Sequence, residues 1–145
     1  MELSEWIPAL SDGMGCDLPE LDAEERRINA LVHELNRAIA DGRDGEEIQR
    51  VMNQLLLEAL GHFEHEERVL SERAYPLQKG HAGLHRQIRA ELEHAMEVLR
   101  DADARATWAA CGLLVAQLFV EHMREETMKF RTFLRPSSIS GSQGT

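Results

Sequence analysis

HFEHEERVL, residues 62–70, decides how this chain folds and poses its main problem. Apolar residues recur around it at helical spacing, so His62 and Glu66 lie one turn apart on the face that earlier carries Ile48, Met52, Leu55 and Ala59. Imidazole and carboxylate groups cost free energy to desolvate, and leucine would fill the same positions without that penalty. The compensation must come from elsewhere in the chain or from a bound group.

Outward from this stretch, Pro, Gly and capping residues divide the sequence into an N-terminal arm, four helices and a tail. The arm, residues 1–16, is interrupted by Gly13 and Gly15, and Trp6 is expected to pack back on the domain. Asp17 with Glu20 predicts the start of a first helix that Gly42 stops after Asp41. Asp44 with Glu47 starts a second, carried to about Ala74 and ended by Tyr75-Pro76. A third is expected from Gln78 to Arg100 and a fourth from Asp103 to Leu134, before Arg135-Pro136. Residues 136–145 are expected to be a disordered tail. The links are short, so the expected fold is all-α: an up-down-up-down four-helix bundle over residues 17–135, with the arm in front.

Composition narrows the function. A formal charge of -10 disfavours a nucleic-acid partner, which requires a basic face, and an anionic membrane surface. The first residues, MELSEWIPAL, have neither a basic n-region nor a long apolar run, so no signal or transit peptide is expected and the setting is cytoplasmic. The longest apolar stretch, Trp108 to Val120, is too short to span a bilayer. Cys16 and Cys111 are far apart and are expected to be free thiols of a reducing compartment.

Steps of four and three pick out the core seam of each helix. They give Leu21, Glu25, Ile28, Val32, Leu35 and Ile39 on the first, and Ile48 to Ala59, then His62, Glu66 and Val69 on the second. The third carries His81, His85, Ile88, Leu92, Ala95 and Leu99; the fourth carries Trp108, Cys111, Val115, Phe119, His122, Glu126, Phe130 and Phe133. At about 1.5 Å of rise per residue, Glu25 and the His62–Glu66 pair lie roughly 25 to 35 Å from the first turn, and His85 and His122 roughly 25 to 28 Å from the third. All seven ionisable seam residues therefore reach the same end of the bundle. One His-x-x-x-Glu pair is weak evidence of a site, but His62/Glu66, His81/His85 and His122/Glu126 at one depth are strong. Three carboxylates and four imidazoles facing one another without a cation would be very unfavourable. Seven N and O donors exceed the needs of a four-coordinate zinc, and the set suits a pair of iron or manganese ions.

At this point the sequence resembles the hemerythrin family in its bacterial single-domain form, from Trp6 to about Phe133. The resemblance is carried by LDAEERRINALVHELN (21–36), HFEHEERVL (62–70), YPLQKGHAGLH (75–85) and QLFVEHMREET (117–127). It implies an oxo- or hydroxo-bridged pair of irons, with manganese as the alternative metal, that binds O2 reversibly end-on at one iron. The partner would be O2 or a related small molecule such as NO or peroxide. It also implies three terminal histidines on one iron, here His81, His85 and His122, with His62 on the other and Glu66 as a bridge. Two positions depart from the family pattern. The first-helix histidine is Glu25 here, and the usual last ligand, an Asp five residues after the fourth-helix histidine, is Thr127, which leaves Glu126 as the second bridge. Leu118 and Phe119 are expected to roof the open position. Glu25 as an anionic ligand would favour ferric iron and tilt the site toward sensing, oxidation or peroxide chemistry. An O2 carrier, store or sensor is the first reading, and a di-iron oxidase or peroxidase tuned by Glu25 is the alternative.

The neighbours have blander readings. His33 is expected at the surface or bundle boundary, His94 in solvent, and His65, Glu64 and Glu67 on a solvated face. Glu24 and Glu125 adjoin proposed ligands and would replace them only after a small helix rotation. Methionines at helical spacing are core filler.

Overall fold

In the computed structural model, residues 19–124 and 128–133 are described. The helices are α1 (Pro19–Ala40), α2 (Gly45–Glu72), α3 (Gln78–Arg100), α4 (Trp108–His122) and α5 (Met128–Phe133), with a short 3-10 helix, Ala102–Thr107, ahead of α4. There is no strand among the described residues. The four long helices form the expected bundle: α1 packs on α2 and α4, and α3 on α2 and α4.

Local chemistry explains most of the boundaries. Gly42 ends α1 at φ 69, with its own N–H on Ile39 O at 3.1 Å and the Arg43 N–H on Ala38 O at 3.0 Å, the double closure that a left-handed residue permits. Asp44 caps α2 by accepting the Glu47 N–H at 2.9 Å. The second helix stops at Glu72, two residues earlier than expected, because Ala74 takes φ 55 and turns the chain so that the Tyr75 N–H reaches Leu70 O at 2.9 Å. α3 has the expected bounds. The fourth helix begins later than expected. The Asp101 side chain accepts the Asp103 N–H at 3.0 Å and draws residues 102–107 into the tighter 3-10 form, and the α-helix starts only at Trp108. At its other end the backbone widens to a π-type turn at Met123 and Arg124. Trp6, Cys16, the Asp17 cap, the arm and the tail lie outside the described residues, as do Glu125, Glu126 and Thr127.

The core consists of the predicted seams and more. Ile28, Val32, Leu35, Ile48, Met52, Leu55, Ala59, Ile88, Leu92, Leu99, Val115 and Phe119 are buried in one cluster, while Ile39, Val69 and Cys111 are half-buried. Leu31, Val51, Phe63, Met96 and Ala116 are buried too, because a bundle helix buries a face wider than one row of seam positions. Far from the polar cluster, Trp108 closes the core: its indole N–H donates to Val98 O at 3.0 Å and the Arg105 guanidinium lies 4.6 Å from its ring centroid.

Gly112 marks the closest approach of α4 to α1. Asn36 Nδ2 donates to Gly112 O and to Val32 O, each at 3.0 Å, and a Cβ at Gly112 would collide with Asn36 Oδ1. Alanine would gain up to about 1 kcal/mol of helix propensity. Overpacking against a side chain pinned by two hydrogen bonds costs about 1–3 kcal/mol. Gly112→Ala is therefore expected to lower stability by about 1–2 kcal/mol net, visible as an earlier thermal midpoint; an unchanged or higher midpoint would contradict this packing.

Candidate metal centre

The seams deliver their polar residues to one end of the bundle, as the axial heights required. Glu25 from α1, His62 and Glu66 from α2, His81 and His85 from α3 and His122 at the end of α4 are all buried, none more than 3% exposed. Six of the seven expected donors thus meet; the seventh, Glu126, is outside the described residues. They form two groups that share Glu66: Glu66 with His81, His85 and His122, and Glu66 with Glu25 and His62, each with donor atoms within 4.8 Å of one another.

Glu66 is the hub. Its Oε1 lies 3.1 Å from His85 Nε2, 3.3 Å from His81 Nε2 and 3.6 Å from His122 Nε2, and its Oε2 lies 3.0 Å from His62 Nε2. Burial opposes ionisation of this carboxyl, but His62, His122 and His81 outweigh it and hold its pKa well below the ordinary value. Glu66 is therefore an anion with one oxygen turned toward each group.

The tautomers of two rings follow from their outer partners. His62 Nδ1 meets Glu24 Oε1 at 2.8 Å, and His85 Nδ1 meets Glu67 Oε2 at 2.9 Å. Burial by itself would raise the Glu24 pKa, yet hydrogen bonds and charge from His62 and His65 lower it, so Glu24 is ionised and accepts. A neutral His62 then carries its proton on Nδ1 and turns the Nε2 lone pair to the interior. There it faces Glu66 Oε2 at 3.0 Å and Glu25 Oε2 at 3.8 Å. The His62–Glu66 pair is close enough to be an ion pair, but it is not aligned as a hydrogen bond, and neither atom has another hydrogen-bond partner. An acceptor facing acceptors requires a cation between them. Without an ion, a proton has to serve. Burial lowers the His62 pKa, but Glu66, Glu24 and Glu25 more than reverse this and raise it to about 10.

The second group has the same logic. With Nδ1 of His85 committed to Glu67, its Nε2 turns inward and stands 3.3 Å from His122 Nε2. Burial lowers the His122 pKa, and His85 and His81 add to this against the pull of Glu66, so the ring is neutral. Phe63 covers this side, stacked on His85 with ring centroids 4.1 Å apart and meeting His122 edge-on at 5.6 Å. Phe119 packs beyond it, fully buried.

The clustered imidazoles and carboxylates form a buried group able to hold cations in the core of a four-helix bundle. The chain belongs to the hemerythrin HHE cation-binding family. The family model, hemerythrin HHE cation binding domain, matches residues 16–134. Comparisons with curated proteins and with solved structures gave no match. Within this hemerythrin fold the donor set fits a pair of transition-metal ions, since Glu66 offers one oxygen to each group and the outer carboxylates orient two of the rings.

Three readings of the neighbours need correction. Glu67 is not simply solvated but holds His85, and His65 joins Glu24 at 2.8 Å. Glu24 needs no helix rotation to take part, because it reaches around Glu25 to the outer nitrogen of His62. Their sequence signal was position: Glu24 and Glu67 directly flank seam carboxylates Glu25 and Glu66. His94 is exposed as expected, and His33 is half-buried, 3.0 Å from Arg37, away from the cluster. Leu118 and Phe119 do not act as one wall. Leu118 borders a cleft of about 200 Å3 between α3 and α4 that is also lined by His122 and Glu121, with Leu84, Gln87, Ile88 and Glu91 opposite, whereas Phe119 is buried in the core.

Proposed function

We propose that this protein is a non-heme di-iron hemerythrin that binds O2, as a carrier, store or sensor, with Glu25, His62, Glu66, His81, His85, His122 and Glu126 as ligands. The observation that supports it is the His62–Glu66 contact, a buried ring nitrogen and a buried carboxylate oxygen 3.0 Å apart with no aligned hydrogen bond between them. Two irons held there supply the electrons that reversible O2 binding draws on, with manganese as the alternative metal.

The chain's own groups have separate tasks. Glu66 spans both positions through its two oxygens, and Glu24 and Glu67 hold the proton of His62 and of His85 on the outer nitrogen. Phe63 and Phe119 exclude water from the three-histidine side, where an aqueous proton source would promote loss of the bound gas. Leu118, on the cleft that His122 also lines, stands at the entry for O2, NO or peroxide. No helix among the described residues is long and apolar enough to cross a membrane. A cytoplasmic setting, where a free thiol such as Cys111 persists, belongs to this proposal.

A second reading rests on Glu25, which is 3% exposed and contributes an anion where a histidine would be neutral. The extra negative charge favours ferric iron and with it an oxidase or peroxidase. Anaerobic iron loading, metal counting and optical spectra before and after O2 test the di-iron proposal: two irons per chain and an oxygen-dependent absorption are expected. A Glu25→His variant is expected to keep that absorption about ten times longer in air, equivalent to about 1.4 kcal/mol on the barrier to autoxidation. Equal lifetimes would remove Glu25 as the tuning group, and repeated peroxide turnover with a reductant would favour the enzyme.

A further inference from the structure

The two halves of the cluster are chemically unlike. One presents three imidazole nitrogens, from His81, His85 and His122, and one oxygen of Glu66. The other presents a single imidazole, His62, with the carboxylates of Glu25 and Glu66. The surroundings widen the difference. Glu24 stands directly behind His62, so the His62 half has three carboxylates around one ring. On the three-histidine half, Glu67 holds the outer nitrogen of His85 and Phe63 packs against His85 and His122, while Glu91 and Glu121 line the cleft beside His122.

Nitrogen donors discriminate strongly among first-row divalent ions, whereas carboxylate oxygens suit harder ions such as manganese and narrow the advantage of iron. Two positions built this differently do not select the same metal equally well. We propose, on the basis of the di-iron reading above, that the Glu25/His62/Glu66 position accepts Mn2+ in place of Fe2+ while the Glu66/His81/His85/His122 position selects Fe2+, so that a mixed iron–manganese pair forms when both metals are supplied. Glu25 is the selecting residue. With histidine there, the two halves would be closer in donor type and both would prefer iron.

The test is anaerobic loading of the full chain with Fe2+ and about a tenfold excess of Mn2+, followed by removal of loose ions and metal counting. Anomalous diffraction at the two absorption edges then locates each metal. One iron and one manganese per chain are expected, with manganese beside Glu25. Glu25→His should shift the count to two irons. Glu25→Gln, which keeps the side-chain shape and removes the charge, should lose manganese and retain the iron at the three-histidine position. Two irons in the unmodified chain, manganese spread equally over both positions, or a metal ratio unchanged in both variants would overturn the inference while leaving the di-iron reading intact. Failure to retain any transition metal would overturn both.

Discussion

Glu66→Ala is expected to abolish loading of both metal positions and to melt well below the unmodified protein. Glu66 is fully buried and within 3.6 Å of His62, His81, His85 and His122, so it is the one side chain common to both donor groups. Its loss leaves one half with only Glu25 and His62, and the other with three imidazoles and no anion among the described donors. Removing one partner from a buried ion pair costs about 3–5 kcal/mol, because the remaining charge stays buried without compensation. Metal counting after iron loading and a thermal melt measure the two effects. Glu66→Gln separates charge from shape: it fills the same space, and it should also fail to load, since an amide oxygen is a poor bridge between two cations. A Glu66→Ala protein that still retained two irons per chain would refute the bridging role.

Glu24→Gln should weaken metal binding about 10–100-fold without changing the fold. The side chain touches no ion in the proposed arrangement. Its carboxylate accepts from His62 Nδ1 at 2.8 Å, fixing which nitrogen of that ring turns inward, and it shares its other oxygen with His65 at 2.8 Å. The amide can present its NH2 as easily as its oxygen, so the variant loses both the charge and the tautomer control. Glu24 is part-exposed and the core packing is untouched, but without metal the buried, protonated His62 loses one of its charged partners, so the thermal midpoint of the metal-free protein should fall modestly while the fold is kept. Competition against a calibrated chelator reads the affinity. His65→Ala, which frees one oxygen of Glu24 and leaves the other on His62, should have a smaller effect in the same direction. If Glu24→Gln bound metal as tightly as the unmodified chain, the tautomer of His62 would be set by something other than this carboxylate.

How much of this was legible in advance varies with the kind of interaction. The helices were readable because Gly42, Asp44 and Pro76 act on the few residues next to them, and α3 follows its expected bounds throughout. The start of α4 was not, because Asp101 competes for the Asp103 N–H with a side chain whose position periodicity does not report. The six buried donors were readable because a charge on an apolar seam is an anomaly in one dimension, and the rise per residue converts sequence distance to height. Glu24, Glu67 and His65 were not, since a polar residue beside the seam looks the same whether it points to solvent or around the ring of a neighbour.

Sequence alone therefore determined the four long helices, their order and the height at which acids and imidazoles gather, all of which depend on spacing along one axis. Only the folded bundle decided how those groups face each other: which oxygen of Glu66 each histidine meets, which ring nitrogen is held by an outer carboxylate, and how unlike the two halves become. Those relations depend on the rotation of each helix about its axis and on side-chain rotamers, and they are settled by packing among four helices at once.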